Sequence, residues 1–541
     1  MNSFIASMNN IVKTENGANC YDSLDNPLVE LFFKTLRGCS KENMIIYLEK
    51  AWNYDKLKTL KIIYQTRDCR GGKGEREQFI NQVMWLRENH KSTYDLNIKK
   101  MIDYGCYVDL LKICSELKTE GSSKSEQHLA KPKVLEERKA KTPQMKGIID
   151  KAQIIKAHEY TAEITDELEI LKNQLEQDLI AVKNVDPKAK KPVISLAGKW
   201  APTERTHFDH NTNGRLAQRL AQLMFPYSLT PNKDYRLMIT KLRNHLKVVE
   251  TLMCAGEWDK IDYEKVPSRT MMLNRAAFKK HDEERFGEYL KKLAQGKAKV
   301  NAKGVQIHEL TQRLMTDRDQ VLESQIDTII SKLKESGDLG KCIAISDVSG
   351  SMSGIPIQVS IALGLVVSEL AHPAFRNHLL TFSENPEWHK VVGRTYYDKL
   401  QSISNMNWGG STNFESVFEL ILSRAVANKV PQEEMPTTLF VFSDMQFNEA
   451  CSKPSYGTLF ETYKIKFQEN GYNMPQIVFW NLRADTVGFP IASANEPNVA
   501  MISGFSSDLL KVFMVGKPLT PLAILDLILD SYPITEDMIG V

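Results

Sequence analysis

Asp347, Ser349 and Ser351 stand at alternating positions in AISDVSGSMSG, directly after the apolar run KCIAIS. A carboxylate and two hydroxyls leaving the end of a strand are hard oxygen donors. Mg²⁺ or Mn²⁺ takes such donors in octahedral coordination while keeping water, whereas zinc prefers sulfur and imidazole. Two more oxygens of this kind follow: Thr412 in WGGSTNF, ahead of a helical stretch, and Asp444 in FVFSDMQF, just past another apolar run. Taken alone, SGSMSG reads equally as a turn and helix cap, where Ser and Asp are favoured without any metal. Five polar positions recurring in the strand-end context favour the cation. A catalytic Mg²⁺ needs a base or a second metal to activate water, and no nearby His or carboxylate pair is assigned to that job. The expectation is therefore a binding protein, not an enzyme.

A second chemical feature is TRDCRGGKGEREQF, where Arg67, Arg70, Lys73 and Arg76 alternate with Gly71, Gly72 and Gly74 just before a helix. A glycine-rich entry to a helix amino terminus can accept phosphate oxygens, and arginines add bidentate contacts. The same residues also suit a tight interhelical turn with solvated charges. The Walker A order is absent, so no nucleotide cofactor is expected. KKLAQGKAKVNAKG and DPKAKKP read mainly as solvated loops. Trp200, Trp258 and Trp408 could stack on bases but more simply pack. His207 and His210 form a His-x-x-His without further ligands and are expected at the surface or hydrogen-bonded.

The elements that must position these residues follow from periodicity. After residue 340, KCIAIS, HLLTFS, TTLFVFS, PQIVFWNL and VAMISG read as short strands that alternate with the helical stretches IPIQVSIALGLVVSELA and ESVFELILSRAVAN. That order implies βαβ units around a mostly parallel sheet, whose ligands gather at the carboxyl ends of its strands. Residues 27–340 are patterned as amphipathic helices, a helical-repeat-like region without a strict period. A charged insert at about 121–192 interrupts it and is expected as a largely exposed helical arm. Residues 1–26 are left as an N-terminal tail. The expected fold class is thus an all-α helical-repeat-like region followed, at 341–541, by an α/β Rossmann-like domain.

The Asp-x-Ser-x-Ser motif with a distant Thr and a distant Asp resembles the metal-ion-dependent adhesion site of the von Willebrand factor A domain. That resemblance implies that Ser349, Ser351 and Thr412 bind Mg²⁺ directly, that Asp347 and Asp444 act largely through water, and that one coordination position stays open for an acidic ligand. The RGGKGER segment together with the A domain resembles the TROVE architecture of Ro-type RNA-binding proteins. SLAGKWAPTE and VPSRTMMLNRAAFKKHD are similar to an uncharacterised TROVE-related family. This second resemblance implies an RNA surface on the helical region, with Arg67, Arg70, Lys73 and Arg76 as candidates and Lys199, Lys279 and Lys280 as weaker ones.

Composition sets the outer bounds. The 541 residues are 42% hydrophobic and 25% charged, ordinary globular usage that argues against wholesale disorder. With 70 Lys and Arg against 67 Asp and Glu, the net charge of +3 cannot hold a polyanion, so nucleic acid would need a local patch. Eight scattered cysteines without a Cys-x-x-Cys pair suggest a reducing, cytoplasmic location. Neither a secretory leader nor a membrane span is read. The leading expectation is an RNA-binding or ribonucleoprotein scaffold whose Mg²⁺-dependent A domain recruits an acidic protein partner. The alternative is a protein-assembly module without nucleic acid, and a metal-dependent hydrolase is least favoured.

Overall fold

The computed structural model describes residues 10–121, 165–183, 192–210, 215–382, 386–404, 413–448, 458–516 and 519–540. Two compact units divide the chain: Met1–Leu96 with Ile261–Val541, and Asn97–Lys260. Each is described by itself. Among the described residues no helix is long and apolar enough to cross a membrane.

The first unit begins with a hairpin of β1 (Ile11–Lys13) and β2 (Asn19–Tyr21). Four helices follow: α1 (Pro27–Lys34), α2 (Lys41–Tyr54), α3 (Lys56–Arg67) and α4 (Arg76–Asn89). Local chemistry starts them. Asn26 accepts from the amides of Leu28 and Val29, Pro27 presets the first turn of α1, and Asp55 caps α3 through the Lys58 amide.

The sheet of this unit comprises β3 (Cys342–Asp347), β4 (His378–Phe382), β5 (Glu387–Lys390), β6 (Thr438–Ser443), β7 (Gln476–Asn481) and β8 (Val499–Ser503). Its order is β5-β4-β3-β6-β7-β8, parallel throughout except for the β4–β5 edge pair. Every residue of β3 and β8 is buried, the signature of a sheet covered on both faces. One cover is the helix Ile355–Leu370, whose Gly364 lies so close to β3 that a Cβ there would sit 2.3 Å from Ser346 Oγ. The order turns back between β3 and β6, so the crevice at their carboxyl ends is the topological switch point where open α/β sheets place ligands.

The sequence reading found five of the six strands and missed the β5 edge. It also left residues 10–26 as a tail, whereas Tyr21 exchanges backbone hydrogen bonds with Phe489 at 2.9 and 2.7 Å. Helices α1 to α4 belong to the same compact unit as the sheet, so the compact units do not divide at residue 340. Periodicity shows that a helix has a face to bury but not which neighbour covers it. Here the carbonyls of Phe32 and Thr35 in and after α1 accept hydrogen bonds from Ser503 of β8, at 2.8 and 3.4 Å.

Among its described residues the second unit holds helices and no strand. Its helix Thr165–Lys183 falls within the insert expected to be an exposed arm. Instead it buries Leu168, Leu171 and Leu175, a stripe at three-to-four spacing. Asp178 anchors the following segment, accepting from Ser195 Oγ at 2.6 Å and from the Ser195 amide at 3.1 Å. The rest of the insert, 122–164 and 184–191, lies outside the described residues.

Candidate cation site at the carboxyl ends of the sheet

Asp347 ends β3 and Asp444 follows β6, its hydrogen-bonded neighbour, so the parallel ladder brings the two carboxylates to one rim although 96 residues separate them. Both are fully buried. Each folds back on its own chain: Asp347 Oδ1 accepts from the Ser349 amide at 2.9 Å, and Asp444 Oδ1 accepts from the Gln446 amide at 3.1 Å. Ser443 joins the strands by donating its hydroxyl to Asp347 Oδ2 at 2.6 Å. Burial, and then the neighbouring Asp444 charge, push the Asp347 carboxyl up to about 7, against the hydrogen bonds from Ser349 and Ser443. Met445, next to Asp444, holds a left-handed backbone at φ 62°, a costly conformation for a side-chain-bearing residue.

The hydroxyls complete this rim. Ser349 Oγ and Ser351 Oγ lie 3.1 Å apart. Adjacent ligands of an octahedral Mg²⁺ at about 2.0–2.1 Å stand about 2.9 Å apart, so this pair fits one edge of such a shell with little movement. Two buried carboxylates flanked by hydroxyls are the hard donor set a divalent cation takes. Thr412, the fifth expected ligand, lies outside the described residues, as does Trp408. No cluster of three or more His, Cys, Asp and Glu side chains suited to a metal occurs among the described residues, so the hydroxyls are integral to any ion held here.

Further side chains at this rim were not singled out in the sequence. Arg483, two residues past the end of β7, donates Nη1 to Asp444 Oδ2 at 3.3 Å. The same Nη1 meets Glu15 Oε2 at 3.0 Å, and Nη2 meets Glu15 Oε1 at 3.4 Å. Gln446 accepts from the Glu15 amide at 2.8 Å, and its own carbonyl accepts from Asn16 Nδ2 at 2.6 Å. The strand-end rule that selects Asp347 and Asp444 would have reached Arg483. No sequence signal marks Glu15.

The basic candidates fare differently from one another. Lys73 is fully buried, with its ammonium on the carbonyls of Phe32 and Thr35 and on Ser503 Oγ, the latter two at 2.7 Å. Burial drives it well below the usual lysine range. Arg67 is 3% exposed. The expectation that these two contact phosphate is therefore corrected: the glycine-rich turn folds inward. Gly72 packs where a Cβ would stand 2.2 Å from the Gln65 carbonyl, and the Lys73 amide donates to that carbonyl at 3.1 Å. Glu75, the N-cap residue of α4, is buried and pairs with Arg37 Nε at 3.2 Å without its side chain capping the helix. Arg70 is exposed and Arg76 half-buried. Lys279 and Lys280 are exposed in the last turn of Ser268–His281, while Lys199 lies 3.9 Å from Glu250 and over the Trp200 ring. Trp200 and Trp258 are half-buried, and His207 and His210 are exposed.

Comparison with known proteins places this chain in a family. The model of the domain of unknown function DUF2828 matches residues 14–169 and 168–339, and that of DUF7788 matches residues 341–521. Uncharacterized protein L728 of Acanthamoeba polyphaga mimivirus is 35% identical over 543 aligned residues, covering 97% of this chain and 88% of that protein. The crystal structure of the Deinococcus radiodurans RO (RSR) protein aligns with 80% of this chain and 93% of its own at 13% identity and a TM-score of 0.32, too slight a likeness to carry fold or function. Matched by the DUF2828 model over more than half its length, and by a relative along nearly all of it, the chain belongs to the DUF2828 family.

Proposed function

We propose that this protein is a divalent-cation-dependent binding module that recruits an acidic protein segment through its C-terminal α/β domain, working in the manner of a von Willebrand factor A domain. One observation carries the reading: two fully buried carboxylates, Asp347 and Asp444, meet at the switch point of the sheet beside paired serine hydroxyls. Buried charge of one sign calls for a counter-ion, and Arg483 supplies a single positive charge to one of the two. In this reading Ser349 and Ser351 ligate Mg²⁺ or Mn²⁺ directly, with Thr412 as the third hydroxyl. Two carboxylates only balance the ion, which keeps enough Lewis acidity to attract an Asp or Glu oxygen from outside.

The reading is one of binding, not turnover. Among the described residues, the groups hydrogen-bonded to the two carboxylates are backbone amides, a hydroxyl and a guanidinium, which hold them in place at the rim. Free thiols among the described cysteines suit a cytoplasmic setting. An RNA-binding scaffold is the second reading. It loses Arg67 and Lys73 and rests on exposed Arg70, Lys279 and Lys280.

Affinity capture from lysate with the full chain, with and without nuclease or chelator, decides between them. Partners that survive nuclease but vanish with chelator or with Asp347→Ala support cation-dependent assembly. Partners lost to nuclease, with RNA released and binding that weakens steeply with salt, support the scaffold instead. Failure of the wild-type chain to bind Mn²⁺ in solution rejects the cation site.

A further inference from the structure

The guanidinium of Arg483 touches two carboxylates of very different standing. Asp444 is fully buried in the candidate site, while Glu15 is 39% exposed at the tip of the β1–β2 hairpin. The pairing with Glu15 uses both terminal nitrogens, the fork geometry by which arginine recognises a carboxylate. Glu15 is not what fastens the hairpin. Thr14 Oγ1 donates to the Phe447 carbonyl at 2.7 Å, Asn16 Nδ2 to the Gln446 carbonyl, and the Glu15 backbone amide to the Gln446 side chain. The Glu15 side chain is therefore free to exchange for another carboxylate without releasing the strand pair.

We propose that Arg483 is a second anchor for the carboxylate of an acidic protein ligand at the rim of the cation site, and that Glu15 occupies this anchor in the free chain. The inference rests on the cation-dependent reading above. An incoming Asp or Glu places one oxygen on the ion and the other on Arg483, and Glu15 is displaced into solvent. The hairpin tip is thus an internal competitor, which sets a threshold that a partner must exceed. Because Arg483 repels a cation while attracting the ligand, and Glu15 does the reverse, the two side chains affect the two binding events with opposite sign.

The test uses the full chain and two probes: Mn²⁺ alone, followed by electron paramagnetic resonance, and fluorescein-labelled hexaglutamate in Mg²⁺, followed by anisotropy. Glu15→Gln is expected to tighten hexaglutamate about twofold to fivefold, the effect of removing one half-exposed ion pair, without tightening Mn²⁺. Arg483→Gln is expected to weaken the peptide and tighten Mn²⁺, with Arg483→Lys, which keeps the charge but not the fork, falling between. Peptide affinity unmoved by Glu15→Gln, or unmoved by Arg483→Gln, overturns the inference, as does a wild-type chain that binds Mn²⁺ but never the peptide. A wild-type chain that fails to bind Mn²⁺ is a different outcome, which removes the cation reading and the inference with it.

Discussion

Replacing Lys73 with Met separates a structural lysine from a phosphate-binding one. In the folded chain its ammonium serves the carbonyls of Phe32 and Thr35 and the Ser503 hydroxyl, and stands 4.1 Å from the centroid of the Phe32 ring. Without it, Phe32 O keeps Ser503 Oγ at 2.8 Å, but Thr35 O retains only a 3.4 Å contact with the same hydroxyl. A buried carbonyl so exposed costs about 1–3 kcal/mol, and each lost charge-assisted hydrogen bond about 1.5–3 kcal/mol. Relief of the desolvated ammonium, itself several kcal/mol, offsets much of this. Lys73→Met is then expected to lower the unfolding free energy by about 2 kcal/mol. Lys73→Ala, which adds a cavity, should lower it by about 4 kcal/mol. Urea titration followed by tryptophan fluorescence measures both, buried Trp480 being one reporter. A Lys73→Met chain within about 0.5 kcal/mol of wild type, yet retaining less RNA on purification, would refute the burial argument and restore the phosphate role.

Burial, with the Arg37 charge adding to it, holds His308 down to about 3 from 6.5. Between those values the unfolded chain binds a proton at His308 that the folded chain refuses, so the His308 contribution to stability falls as pH drops through that window, by about 2 kcal/mol from pH 6.5 to 5. Because Asp347, raised to about 7, works in the opposite direction over the same window, the increment is read as the difference between wild type and His308→Phe in how urea-unfolding stability changes from pH 6.5 to 5. Gly72→Ala drives a Cβ into the Gln65 carbonyl and is expected to cost about 1–3 kcal/mol by the same measurement; a neutral outcome would mean that the turn is looser than described. Leu171→Ala, in the helix Thr165–Lys183, should cost about 2–5 kcal/mol if that helix is integral to its unit, and nearly nothing if it is a solvated arm. Protease sensitivity across residues 165–183 gives an independent check.

Residue types and their periods were enough to determine five of the six strands, β3, β4, β6, β7 and β8, the alternation that makes them a parallel sheet, and the strand ends on which Asp347 and Asp444 sit. Those features are local: an apolar run buried on both faces is legible without knowing its neighbours, and a polar residue just past its end inherits the position. What only the tertiary structure decided is partnership across the chain. RGGKGER looks the same in sequence whether its lysine faces water or the carbonyls of Phe32 and Thr35, because composition records charge and not direction. The edge strand Glu387–Lys390 alternates half-buried and exposed residues over only four positions, too short a pattern to stand out. Glu15 gave no signal at all, since its role depends on Arg483, 468 residues away, being brought to the same rim by the strand order. Side-chain chemistry fixes what a residue is able to do, and long-range packing selects the partner with which it does so.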